Sequence, residues 1–319
     1  MLKRIRRALV RKLFGSNLLL QRMLLQEFKK GKILKASLLG LYLIPLRNAL
    51  KLDEPNRVQR FITSLDYYNA IQDLLHIYRA DGFGLTRTGS KGCAGYVMLD
   101  DFSGEKIAYS FGIGEDVAWD KDMASRGYDV FMYDHTIDGL PEHNSRFHWS
   151  KLGIADGIAQ DDRLRTLDEL IAANHHEDKR DMILKIDVEG AEWGFLRQTS
   201  SETLSKFSQI IFELHSINHH EDRELILGGL RKLNMTHRLV HLHSCNWGWH
   251  MSIGGKNFPT VYEASYVLKD KYNIVDDYDP CLPLDLDSPT SVLVPDIELG
   301  HWNRRAELDD MFTLNIMKL

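Results

Sequence analysis

The stretch DMILKIDVEGAEW, residues 181–193, decides how the chain is read. Met182, Ile183, Leu184, Ile186 and Val188 make a short apolar run, the pattern of a strand buried within a sheet. The run ends in Asp187, Glu189 and Glu192, gathered around Gly190. An unpaired carboxylate is costly to bury, so these acids must meet water, a partner or a ligand where the strand ends. Two readings follow. The acids line a site, or Glu189 and Glu192 complement the N-terminus of a helix starting near Ala191, worth under about 1 kcal/mol.

Outward from this strand the pattern alternates. Residues 106–114 read as a strand ending in a glycine turn, and 115–127 as a helix closed by Gly127. YDVFMYDHT (128–136) and NSRFHWSKLGI (144–154) read as strands, and RLRTLDELIAANH (163–175) as a helix. After the 181–190 strand come helical segments to residue 207, the strand SQIIFELHS (208–216) and a helix over 221–234 with two interior glycines. HRLVHLHSCN (237–246) and TVYEASYVLKD (260–270) are strands with no helix between them. Short apolar strands separated by helices predict an α/β fold, a mostly parallel doubly wound sheet with an antiparallel edge. The expected organisation is a basic arm at 1–60, a helical and turn-rich lead-in at 61–105, the domain at 106–275 and an irregular tail at 276–319.

Ligands of such sheets bind outside the carboxyl ends of the strands, where the strand order reverses. Gly112, Gly114, Glu115 and Asp116 follow the first strand of the domain. Glycines there let a ligand approach the backbone, but a dinucleotide fingerprint needs a third glycine where Val117 stands. Asp134 ends the next strand, where a carboxylate can accept from both hydroxyls of a ribose. An adenosine ligand accounts for both features, and nicotinamide-dependent and methyl-transferring enzymes fit them equally.

The motif ILKIDVEGAEW separates the two. Its Lys185, Asp187, Glu189, Gly190 and Glu192 match the pattern hhKhDhEGhE (h apolar), and the sequence resembles the FkbM family of S-adenosylmethionine-dependent methyltransferases from about residue 92 to 270. YSFGIGEDVAWD, YDHT and FELH belong to the same resemblance. It implies a Rossmann-like class I methyltransferase fold, with Gly112 and Gly114 passing the methionine end of the cofactor, Asp134 holding the ribose and Asp187 beside the reacting methyl group. Glu115 and Glu189 complete the expected cofactor contacts. The family's acceptors are commonly hydroxyls of sugars and small molecules, so O-methylation of a glycan or similar hydroxyl is expected.

Elementary chemistry agrees. S-adenosylmethionine carries a sulfonium and an ammonium group, which an acid-lined pocket complements, whereas the same pocket would repel a pyrophosphate. Glu213 and His215 stand two apart on one strand, as do His241 and His243, and an imidazole at a strand end can serve as general base. His215 and His243 are therefore the catalytic candidates beside Asp187. A divalent metal held by Asp187, Glu213 and these histidines follows no spacing rule and is left open. His175, His176, His219 and His220 fall in polar segments and are expected to be solvated.

Composition sets the limits. Apolar content of 44% and charged content of 27% are those of a globular protein. The first 60 residues hold 15 Lys and Arg against 3 Asp and Glu, the remaining residues 25 against 42. A basic arm thus precedes an acidic body, and its Leu, Ile and Phe recur at helical spacing, which suits an anionic membrane surface. No nucleic-acid module appears. Three widely spaced cysteines exclude a disulfide framework and favour a reducing, cytoplasmic setting. The rivals are an NAD-dependent oxidoreductase or epimerase and a non-catalytic, membrane-associated cofactor-binding scaffold.

Overall fold

The computed structural model describes residues 65–304 apart from 93, 158, 160, 219–221, 248–249 and 254–255. The basic arm, His219 and His220 lie outside the described residues. Among these, no helix is long and apolar enough to cross a membrane.

Helix α1 (Leu65–Leu74) leads into an antiparallel hairpin of β1 (Leu85–Gly89) and β2 (Gly95–Leu99). The domain then runs β3 (Ile107–Phe111), α2 (Ala118–Ser125), β4 (Asp129–Tyr133), β5 (Phe147–Ser150) and α3 (Leu167–Ala173). It continues through β6 (Met182–Ile186), α4 (Glu192–Gln198), α5 (Ser201–Leu204), β7 (Phe207–Leu214), α6 (Arg223–Thr236), β8 (His237–Ser244) and β9 (Tyr262–Leu268). Seven of these strands form one sheet in the order β8-β9-β7-β6-β3-β4-β5. β9 runs antiparallel to both neighbours, while the β7–β6, β6–β3, β3–β4 and β4–β5 pairings are parallel. The two last strands do pair antiparallel, but the odd strand is inserted one place in from the edge, between β7 and β8. A further antiparallel pair of short strands, His250–Ile253 and Lys256–Pro259, separates them in sequence.

The central strands β3 and β6 are buried at every position, as strands covered on both faces must be. Local sequence sets the helices. Thr166 and Glu169 close a reciprocal capping box on α3. Ile226, Leu227, Leu230 and Leu233 make the buried face of α6. A Cβ at Gly229 would sit 3.3 Å from Leu196, so this glycine lets α6 approach α4, while Gly228 faces open space.

Residues 281–304 are short on regular structure yet grip the body firmly. Trp302 is fully buried and its indole N–H donates to Leu75 O at 2.9 Å. Asp287 pairs with His241 and Asp296 with His243, each at 3.0 Å.

His237 opens β8 fully buried, its Nε2 donating to Phe207 O at 2.9 Å and its Nδ1 accepting from the Thr236 hydroxyl at 2.7 Å. Burial pushes its pKa down from 6.5 to about 4. The unfolded chain therefore binds the proton first as pH falls, so this group's stabilisation is complete above about pH 6.5 and is lost on acidification through about pH 4. The loss is on the order of 3 kcal/mol. Urea unfolding at stepped pH should show it, with a shallower slope in His237→Asn.

Candidate active site

The strand order reverses between β3 and β6, and the residues following these two strands lie side by side. Asp187 N donates to Phe111 O at 3.1 Å, and the Lys185 ammonium donates to Gly112 O at 2.8 Å. Gly112 has φ +75, and a Cβ built there would lie 1.5 Å from Asp187 O. Glycine is thus required by backbone conformation and by close approach together.

Asp134 sits on the other flank of the same turn. Its Oδ2 accepts from Ile113 N at 2.9 Å and Gly114 N at 3.0 Å, and its Oδ1 from Thr136 N at 2.8 Å and Thr136 Oγ1 at 2.6 Å. Burial opposes its charge, but these four donors prevail and hold its pKa below the ordinary value. Asp134 thereby clamps the glycine turn to the end of β4. For a ribose hydroxyl to bind it, the Thr136 hydroxyl has to give up its place.

Asp187 heads a second group. The half-buried carboxylate accepts from Tyr96 OH at 3.3 Å and lies 3.8 Å from Lys185 Nζ. Tyr96, on β2, is buried; desolvation and the nearby Asp187 and Glu213 charges raise its pKa well above the ordinary value. His215, just beyond β7, points Nε2 at three carboxylates: Glu213 at 3.5 Å, Glu189 at 3.6 Å and Asp187 at 4.0 Å.

Glu192 supports that imidazole from behind. It is fully buried. Its Oε1 accepts from His215 N at 2.5 Å and faces Nδ1 at 3.1 Å, and its Oε2 accepts from Gly190 N at 2.9 Å. Burial alone would depress the imidazole, but Glu192 and Glu213 overcome it and raise His215 above its ordinary value. Burial also raises the Glu213 carboxyl, with Asp187 adding to the effect.

The structure therefore brings Asp187, Glu189 and His215 together and places Gly112, Gly114 and Asp134 at the adjoining turn. Glu115 is solvent-exposed beside that turn. His243 stands apart from the cluster. Both its ring nitrogens are engaged, by Glu263 at 2.9 Å and Asp296 at 3.0 Å, and these acids raise its pKa to about 10 despite burial. It has no free nitrogen with which to accept a proton, and its visible role is to anchor the C-terminal segment. Burial also corrects the expectation for His176, which bonds Tyr109 OH at 2.8 Å.

Sequence reasoning missed the pairing of Glu192 with His215, and it missed Tyr96 altogether. Glu192 passes for a helix-terminal acid, and Tyr96 lies in a hairpin whose register relative to β6 leaves no local signal.

Residues 108–246 match the family model described as the methyltransferase FkbM domain. No curated protein matches. One solved structure, of a Streptococcus thermophilus protein titled as a hemolysin, aligns at a TM-score of 0.27 and 13% identity, covering 51% of this chain. The aligned part spans 59% of that chain, and a likeness this weak carries no argument. From β3 to the residues just after β8, the chain matches the FkbM methyltransferase domain, with the glycine turn and the acid cluster both inside the matched span.

Proposed function

We propose that the protein is an S-adenosylmethionine-dependent O-methyltransferase acting on a hydroxyl of a sugar, glycan or other small molecule. The observation that carries it is the convergence of Asp187, Glu189 and Glu213 beside the Gly112–Gly114 turn, at the point where the strand order reverses. The residues fit the cofactor. Cβ atoms built at Gly114 and Gly190 meet nothing within 4 Å, so both glycines border open space, and the acids beside them complement sulfonium and ammonium charge.

When bound, S-adenosylmethionine supplies a methyl group whose bond to sulfur breaks as the acceptor oxygen bonds to carbon, the electron pair staying on sulfur and the hydroxyl proton being released. The chain's part is alignment and disposal of that proton. Lys185 and Asp134 fix the glycine turn from opposite flanks. Glu192 fixes His215. The carboxylates around His215, Glu189 and Glu213, are placed to receive the proton. His215 itself is held protonated by these acids, so it positions them instead of serving as the base.

The basic arm belongs to the same reading, as a means of resting a cytoplasmic enzyme on an anionic membrane near its acceptor. Calorimetric titration with S-adenosylmethionine and with NADH tests the cofactor assignment. Binding of the first at one site per chain supports it; binding of NADH alone overturns it.

A further inference from the structure

We propose that Asp187, Glu213 and His215 bind a divalent cation of the Mg2+ or Mn2+ class. One ligand atom from each lies within 4.8 Å of the others. The three come from the turn after β6, the end of β7 and the residue beyond it, so the sheet itself sets their spacing.

The separations distinguish a cation site from a hydrogen-bonded cluster. His215 Nε2 can carry a single hydrogen, yet Glu213 and Asp187 stand 3.5 and 4.0 Å from it, at or beyond the outer limit of a hydrogen bond. Ligands about 2.1 Å from a shared octahedral cation lie about 3 Å apart when adjacent and about 4.2 Å apart when opposite. The two separations from Nε2, 3.5 and 4.0 Å, lie between those values, and all three ligand atoms stay within 4.8 Å of one another.

A second observation lies outside the three ligands. The fully buried Glu192 faces His215 Nδ1 at 3.1 Å and also accepts from the backbone N–H of His215. A carboxylate on the far nitrogen is the usual support of a metal-bound histidine: it fixes the ring, and a cation that displaces the Nε2 proton finds that nitrogen's lone pair directed at it. Here that other nitrogen points at Asp187 and Glu213. Charge agrees, since the ion pairs of the cluster join four carboxylates to two cationic side chains, Lys185 and His215. Two carboxylates and one imidazole, without thiolate, suit a hard or borderline cation.

The cation's role rests on the methyl-transfer proposal: an acceptor hydroxyl bound to it would lose its proton more readily, with Glu189, which is not a ligand, left to take that proton. Its binding does not rest on that proposal. Mn2+ titrated into full-length protein without S-adenosylmethionine, followed by electron paramagnetic resonance, reads the site alone. The expected result is one Mn2+ per chain, displaced by excess Mg2+, with affinity at least about tenfold weaker in Glu213→Gln and in Glu192→Gln. Unfolding curves establish that each variant is folded, and a rise in the wild-type melting temperature with Mn2+ provides a readout independent of any variant. Absence of stoichiometric binding at millimolar Mn2+, or equal binding by wild type and folded Glu213→Gln, overturns the proposal. Neither result bears on whether S-adenosylmethionine binds.

Discussion

Gly112→Ala is expected to destabilise the fold by about 3 kcal/mol or more. Two penalties coincide. The residue sits at φ +75, where a side chain is strained, and its Cβ would lie 1.5 Å from a backbone oxygen, Asp187 O. A backbone atom tied into the sheet cannot swing away as a side-chain tip can. Relief would require β3 and β6 to part at their carboxyl ends, breaking the Asp187 N to Phe111 O bond. Gly114→Ala is the informative companion. It shares a positive φ, +57, but its Cβ would meet nothing within 4 Å. It should cost only about 1 kcal/mol, while the added methyl group projects where the cofactor is proposed to pass. Urea unfolding of the two variants separates these outcomes, and similar losses in both would refute the close-approach argument.

Removal of the Glu192 carboxylate is the second large effect. Glu192→Ala leaves three donors without their acceptor: His215 N, His215 Nδ1 and Gly190 N. Breaking one side of a buried charged pair costs about 3–5 kcal/mol. Glu192→Gln keeps the shape but presents an amide N–H to groups that are themselves donors, at about 1–3 kcal/mol. The pH dependence has a definite sign. His215 is raised in the folded protein, so its pairing stabilises fully below its unfolded pKa of about 6.5 and is lost as pH climbs through the folded value. In Glu192→Gln the imidazole should titrate at lower pH, a shift that nuclear magnetic resonance of the ring protons can follow.

Much of this was legible in the chain. Buried strands such as IAYSF and MILKI write their environment into their composition, and β-strand alternation places Glu213 and His215 on one face. The DVEG turn draws attention because acids at the end of a buried strand need water, a partner or a ligand. Less visible was the direction in which each acid turns. Glu192 has the sequence position of a helix-terminal acid and does satisfy Gly190 N, yet its other oxygen holds a histidine 23 residues away. The 281–304 segment lacks periodicity, so nothing local reveals that Asp287 and Asp296 claim His241 and His243, or that Trp302 enters the core. Such long-range pairings depend on packing, and no spacing rule encodes them.

Calorimetric titration of Asp187→Asn with S-adenosylmethionine, beside wild type, probes the role of the strand-end acid most directly. The substitution preserves volume and removes one negative charge from the crevice. A folded variant that binds the cofactor about tenfold more weakly or worse, a loss of about 1.4 kcal/mol, is the predicted result. A variant with the wild-type unfolding curve and unaltered affinity would contradict it.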